Sequence, residues 1–169
     1  MIININEIDK IKGENIVICA GWFDLFHIGH LNFLKNAKNQ GDTLVVLVMN
    51  DLDGRAIKGE TRPIINESER CEIIDNIKCV DYTILSDNDT TNSNYLLIDD
   101  LDLKSRILWE RYISIIEKIK PSKVFALEET LKFNCLDEYI ESIGVSVVYS
   151  DRFEGISTTD IELKLKTNK

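Results

Sequence analysis

At 169 residues, 44% of them apolar, the chain has the length of one ordinary domain and enough hydrophobic material to bury a core. Its formal charge of −9 excludes a nucleic-acid binder that works through a broad basic surface, so an anionic ligand must be held by a local group of donors. Met1 to Glu7 lacks the basic start and long apolar core of a signal peptide, and no apolar run is long enough to span a membrane, which points to a cytoplasmic protein that binds no membrane.

In chain order, apolar segments of strand length alternate with longer segments of helical period, the pattern of a parallel sheet covered by helices. Ile16 to Ala20 reads as the first buried strand. Leu31, Phe33, Leu34 and Ala37 follow at helical spacing, with Gly41 as the expected C-terminal cap. Thr43 to Met49 is the second strand. A charged loop leads to Asn66, a cap with Glu69 three residues on, which opens a helix to about Ile77. Tyr82 to Leu85 is the third strand and Ser86 to Asp102 a polar loop. Leu103 to Lys120 is a helix stopped by Pro121. Lys123 to Leu127 and Val145 to Tyr149 are the last strands, separated by a helix around Leu136 to Ile143. The expectation is a doubly wound parallel α/β sheet of five strands with helices on both faces, formed by residues 1–169 as one domain, with 86–120 a variable loop and helix. Cys19, Cys71, Cys79 and Cys135 form no Cys-x-x-Cys pair, so packed, reduced thiols are expected.

In such a sheet, ligands bind beyond the carboxyl ends of the strands, and the loop after the first strand is the usual phosphate site. Residues 22–30 occupy that loop. They carry neither G-x-G-x-x-G nor G-K-[ST], and instead place both histidines of the chain in His27-x-Gly29-His30. Three residues apart on an opening helical turn, His27 and His30 share a face, and Gly29 lets a ligand approach the backbone. Imidazole N–H groups there can stabilise charge on a phosphorus undergoing in-line displacement. A zinc pair or two structural histidines are the competing readings, although zinc needs three or four ligands and no further ligand is apparent, so no protein-bound metal is assigned.

These residues also carry a resemblance. Gly21-x-Phe23-Asp24-x-x-His27-x-Gly29-His30 is similar to the signature of the cytidylyltransferase-like nucleotidyltransferases. That superfamily includes glycerol-3-phosphate, ethanolamine-phosphate and choline-phosphate cytidylyltransferases, heptose-1-phosphate adenylyltransferases and archaeal-type FAD synthetases. A second block, Arg55 to Arg70, resembles the lysine loop and following helix of these enzymes, which implies phosphate contacts for Lys58, Arg62 and Arg70. Interleaved Glu60, Glu67 and Glu69 also fit a solvated charged loop. A third block, Arg152-Phe153-Glu154-Gly155-Ile156-Ser157-Thr158-Thr159-Asp160, resembles the Arg-Thr-Glu-Gly-Ile-Ser-Thr-Thr signature, with Phe153 in place of a threonine. Ser157 and Asp160 also form a capping box, which is compatible with a phosphate site at a helix N-terminus.

The resemblance implies a Rossmann-like fold, a homodimer, and transfer of a nucleotidyl group to a small phosphorylated substrate with release of pyrophosphate. His27, His30, Lys58, Arg152, Ser157 and Thr158 would be catalytic. Gly21, Trp22, Phe23, Asp24, Gly29, His30, Glu128, Gly155, Ile156 and Ser157 to Thr159 would bind the nucleotide, with Mg2+ arriving on its phosphates. Asp24 fits equally well as a loop carboxylate bonded to backbone, and Glu128-Glu129, where relatives carry Gly-Asp-Asp-Trp, as a solvated helix entry. CTP with a glycerol-3-phosphate-like alcohol or sugar phosphate is the leading expectation. ATP with a heptose or other sugar phosphate is the alternative, since Lys58 to Pro63 is similar to that branch, and a degenerate, non-catalytic nucleotide-binding module is a third reading.

Overall fold

Side chains alternate between the faces of a strand, so a strand that is apolar throughout needs cover on both sides. The computed structural model describes residues 1–86, 101–128, 130, 136–151 and 155–167, with backbone alone at 101–107 and 166. It meets that need with a six-stranded parallel sheet: β1 (Ile2–Ile3), β2 (Ile16–Gly21), β3 (Thr43–Val48), β4 (Tyr82–Leu85), β5 (Lys123–Leu127) and β6 (Ser146–Ser150), in the order β1-β4-β3-β2-β5-β6. Val17, Cys19, Leu44, Val46 and Val48 pack under α1 (Ile28–Lys38) and α3 (Glu67–Asp75) through Leu34, Ala37, Cys71 and Ile74. Ile18, Val45 and Leu47 face the other way, under α4 (Leu101–Ile119) and α5 (Leu136–Ser142), through Tyr112, Ile116, Leu136 and Ile140. The fold is the expected Rossmann-like, doubly wound α/β type, with one strand more.

That extra strand, β1, pairs with β4 through Ile2 and Ile3 and is too short to show a period. The structure also replaces part of the expected charged loop after β3 with a helix, α2 (Asp51–Lys58). Asn50 caps it, accepting the Asp53 N–H at 2.8 Å, and Asp51 and Asp53 sit in its first turn where they favour the helix dipole. At the end of α1 the C-terminal cap is Asn39, not Gly41. Gly41 is needed for close approach instead, because a Cβ there would lie 2.1 Å from the Asn15 carbonyl oxygen.

Strand order reverses at β2, whose neighbours are β3 on one side and β5 on the other. The chain leaves β2 outward toward β3 and β4, then returns along α4 to begin β5. The loops after β2 and β5 therefore diverge and open a crevice at the carboxyl edge. Cys19, Cys71 and Cys79 are free thiols, and burial raises each of their pKa values, Cys71 to about 11. No helix among the described residues is long and apolar enough to cross a membrane.

Candidate active site

The loop after Gly21 turns sharply. Phe23 and Leu25 both take left-handed backbone conformations, φ 52° and 45°, which cost a non-glycine residue about 1–2 kcal/mol each. Asp24 between them offsets that strain. Its buried carboxylate accepts the N–H groups of Ile64 at 2.9 Å, Ile65 at 3.0 Å and Leu25 at 3.1 Å. It thus clips the segment before α3 onto the loop before α1, the backbone-bonded role of the two weighed for it.

His27 caps α1. Its Nδ1 accepts the Gly29 N–H at 3.1 Å, so the neutral ring carries its proton on Nε2 and offers that N–H to a ligand. His30 stacks on it with ring centroids 3.9 Å apart and planes 22° from parallel, and Phe23 and Phe26 flank His30 at 5.5 and 5.6 Å. Burial lowers the pKa of His30 to about 4, helped by the His27 and Lys58 charges and opposed by Asp24. Burial also lowers that of His27, against the pull of Asp160. Both rings are neutral near pH 7. The buried His30 Nδ1 finds no hydrogen-bond partner among the described residues, an orphaned polar atom of the kind that marks a ligand site.

The pair lines a cleft of about 1160 Å3 at the carboxyl edge of the sheet. Around it stand Gly21, Trp22, Phe23 and Asp24 from the β2 loop, Gly29 from α1, and Ile57 and Lys58 from the last turn of α2. Arg62, Leu127, Ser150 and Asp151 add to the rim, as does the run Gly155 to Asp160 at the start of α6 (Thr158–Thr167). Residues from three separate sequence blocks therefore line one cleft. Sequence reasoning missed Leu108, Trp109 and Tyr112, which α4 contributes to the wall. Their helical period shows a core-facing stripe, but not that the stripe continues past the edge of the sheet.

The Lys58 ammonium lies 4.4 Å from the centroid of the Trp22 ring. Crowding by the surrounding protein lowers its pKa, with the charges of Arg62 and Arg70 adding to the effect and Asp24 opposing it. Arg62 forms an ion pair with Glu162 of α6 at 2.5 Å. At the start of that helix, the Ser157 hydroxyl and N–H donate to the Asp160 carboxylate at 2.6 and 2.8 Å, and the Asp160 N–H returns to Ser157 Oγ at 3.2 Å. Those bonds hold Asp160 below the usual carboxylate range. The Thr158 hydroxyl donates to the Asp24 carbonyl at 3.0 Å. Two of the three hydroxyl protons expected to meet phosphate, those of Ser157 and Thr158, are thus engaged within the protein. What the helix start can offer an anion is its backbone N–H groups at Thr158 and Thr159 and the exposed Thr159 side chain.

One expectation needs correction. Arg70 does not reach the cleft: it is fully buried, with Nε donating to Ile65 O at 2.9 Å, Nη1 to Trp22 O at 2.5 Å and Met49 O at 2.8 Å, and Nη2 to Asp51 Oδ1 at 2.6 Å. It lies one turn before Ile74 on the inward face of α3, so its guanidinium ties together the segments that frame the site. Glu128 is exposed and lies between Leu127 and Thr130, both of which line the cleft. Arg152, Phe153, Glu154 and Glu129 lie outside the described residues. Among the described residues no group of three or more His, Cys, Asp or Glu is arranged to hold a metal ion.

Residues 18–163 match the Cytidylyltransferase-like family. The chain is 32% identical over 158 residues to the Bifunctional protein HldE of Geobacter sulfurreducens, covering 93% of the chain and 28% of that protein. It is 30% identical over 156 residues to the Bifunctional protein HldE of Syntrophotalea carbinolica, covering 92% of the chain and again 28% of the relative. The chain thus spans little more than a quarter of the length of these relatives. Among solved structures, a lipopolysaccharide core biosynthesis protein from Thermoplasma volcanium is 25% identical with a TM-score of 0.60, over 84% of this chain and 100% of that one. A pantothenate synthetase from Thermus thermophilus, 12% identical with a TM-score of 0.68 over 98% of this chain and 68% of that one, shares the fold. The signature residues, their convergence on one cleft and the family match over residues 18–163 together show that the chain belongs to the cytidylyltransferase-like nucleotidyltransferase family.

Proposed function

We propose that the chain is an adenylyltransferase that joins ATP to a sugar phosphate. The observation that carries the reaction class is the stacked, neutral His27–His30 pair opening on the same cleft as Lys58, Arg62 and the start of α6. A phosphomonoester is largely dianionic near pH 7, its second pKa being about 6, so its oxygen attacks the α-phosphorus without a general base. The new P–O bond forms as the bond to the β-phosphate bridging oxygen breaks, and pyrophosphate leaves. His27 and His30 N–H groups stabilise the charge on the α-phosphate oxygens, Lys58 and Arg62 hold phosphates, and the start of α6 receives the departing pair. Arg152 adds a further cation in this reading. Magnesium carried by the nucleotide would supply charge neutralisation at its phosphates.

The choice of ATP and a sugar phosphate is supported by the similarity to the Bifunctional protein HldE relatives and to a lipopolysaccharide core biosynthesis protein, and by the resemblance of Lys58 to Pro63 to the heptose-phosphate branch. CTP with glycerol 3-phosphate is the second reading, favoured by the Glu154 to Asp160 block. Pyrophosphate release, measured with ATP or CTP and magnesium against hexose and heptose 1-phosphates and glycerol 3-phosphate, separates them. Turnover with ATP and a sugar phosphate is expected. A preference for CTP would move the assignment to the second reading, and nucleotide binding without turnover on any acceptor would identify a non-catalytic module. A homodimer, implied by the family, is checked by light scattering.

A further inference from the structure

Trp22 occupies the unspecified position of Gly21-x-Phe23-Asp24, and its ring does two things at once. Its face lies under the Lys58 ammonium, 4.4 Å from the ring centroid. Its indole N–H donates to the Asn50 carbonyl at 3.2 Å, and Asn50 is the fully buried cap of α2, the helix whose last turn carries Lys58. The ring is therefore registered to the start of the same helix that delivers the lysine at its end. Gly54, between those ends, makes room: a Cβ there would stand 2.8 Å from the indole nitrogen and 2.5 Å from Pro63 Cδ.

Lys58 has no carboxylate within ion-pair distance and no hydrogen-bond acceptor among the described residues. Its neighbours Arg62 and Arg70 disfavour its charge. An unrestrained lysine samples many rotamers, and a ligand phosphate would have to order it on binding. The negative face of an indole is the group best suited to hold an ammonium in place while leaving its N–H bonds open to an incoming anion.

We infer that Trp22 is a positioning residue, whose indole face holds the Lys58 ammonium aimed into the cleft before a phosphate arrives. The inference rests on the reading of Lys58 as a phosphate ligand made above. Removing the aromatic face raises the KM of the phosphate substrate that Lys58 meets by about tenfold, with a smaller change in kcat, because the ground state loses the pre-aimed cation.

The test has two readouts. In protein labelled with 13C-lysine, the Lys58 ε-CH2 resonance, identified by its loss in Lys58→Ala, is expected to be displaced upfield by the ring in the parent and in Trp22→Phe, and to return to the ordinary lysine position in Trp22→Leu. In turnover, Trp22→Leu is expected to raise KM, Trp22→Phe to restore most of it, and Trp22→Leu to add nothing once Lys58 is alanine. An undisplaced resonance in the parent, or effects of Trp22→Leu and Lys58→Ala that multiply, overturns the inference. A parent protein that turns over no acceptor would defeat the adenylyltransferase reading, and the resonance would still decide the role of Trp22.

Discussion

His27 and His30 stack at 3.9 Å, one with Nδ1 engaged by the Gly29 N–H and the other with Nδ1 free of partners among the described residues. The helix that His27 caps orients one ring, and Phe23 and Phe26 orient the other, so no carboxylate is used for either. Two imidazoles this close resist carrying charge together, and the pair is a neutral donor set whose ability to stabilise an oxyanion depends on alignment.

Replacing His30 with alanine therefore lowers kcat by about 100-fold or more, the size typical of a lost oxyanion donor. Nucleotide affinity changes much less. Steady-state kinetics with calorimetric ATP binding checks both, and a His30→Ala protein as fast as the parent would remove the pair from the chemistry.

The same burial makes His30 a source of acid lability. Its folded pKa, about 4, lies below the ordinary 6.5, so between these values the unfolded chain binds a proton that the folded chain refuses. Stability then falls as pH drops through that window and the contribution levels off below it. Thermal melts from pH 7 to pH 4 should show a steeper loss in the parent than in His30→Gln. Parallel curves for the two proteins would contradict the assignment.

Arg70 gives a sharper contrast between two roles. As a buried brace holding Asp51 and the carbonyls of Trp22, Met49 and Ile65, its loss leaves an uncompensated carboxylate and several orphaned acceptors. Arg70→Ala is expected to cost about 3–5 kcal/mol of stability. Arg70→Lys keeps the charge but lacks the planar fork and falls between. Urea denaturation decides it: a variant as stable as the parent but weaker in substrate binding would return Arg70 to the phosphate site.

Much of this was readable from the residues. Central strands buried on both faces leave uninterrupted apolar runs such as Thr43 to Met49, and the capping signals at Asn66 and Ser157 mark true helix starts. α2 was hidden because half of Asp51 to Lys58 is charged and the segment contains Gly54. Asn50 followed by Asp51 and Asp53 was its one legible sign. Within the site, the histidine pair was legible because three-residue spacing on a helix fixes a shared face. Arg70 was not, since a basic residue beside a phosphate motif invites a ligand role unless its spacing to Ile74 is weighed as an inward-facing pattern. The α4 wall depends on how far one helix overhangs the sheet, a tertiary quantity that local period does not carry.

No described side chain of α6 is fully buried, and among the described residues its polar ties to the body include Thr158 on the Asp24 carbonyl and Glu162 on Arg62. A helix so tethered opens at a free energy well below that of global unfolding. Its amide hydrogens, over 158–167, should exchange rapidly in the free protein and slow when ATP and magnesium saturate the cleft. Nucleotide affinity and the order of this helix are then two readings of one equilibrium. A substitution at Glu162, which need touch no ligand, would weaken nucleotide binding by the fraction of molecules whose α6 is no longer docked.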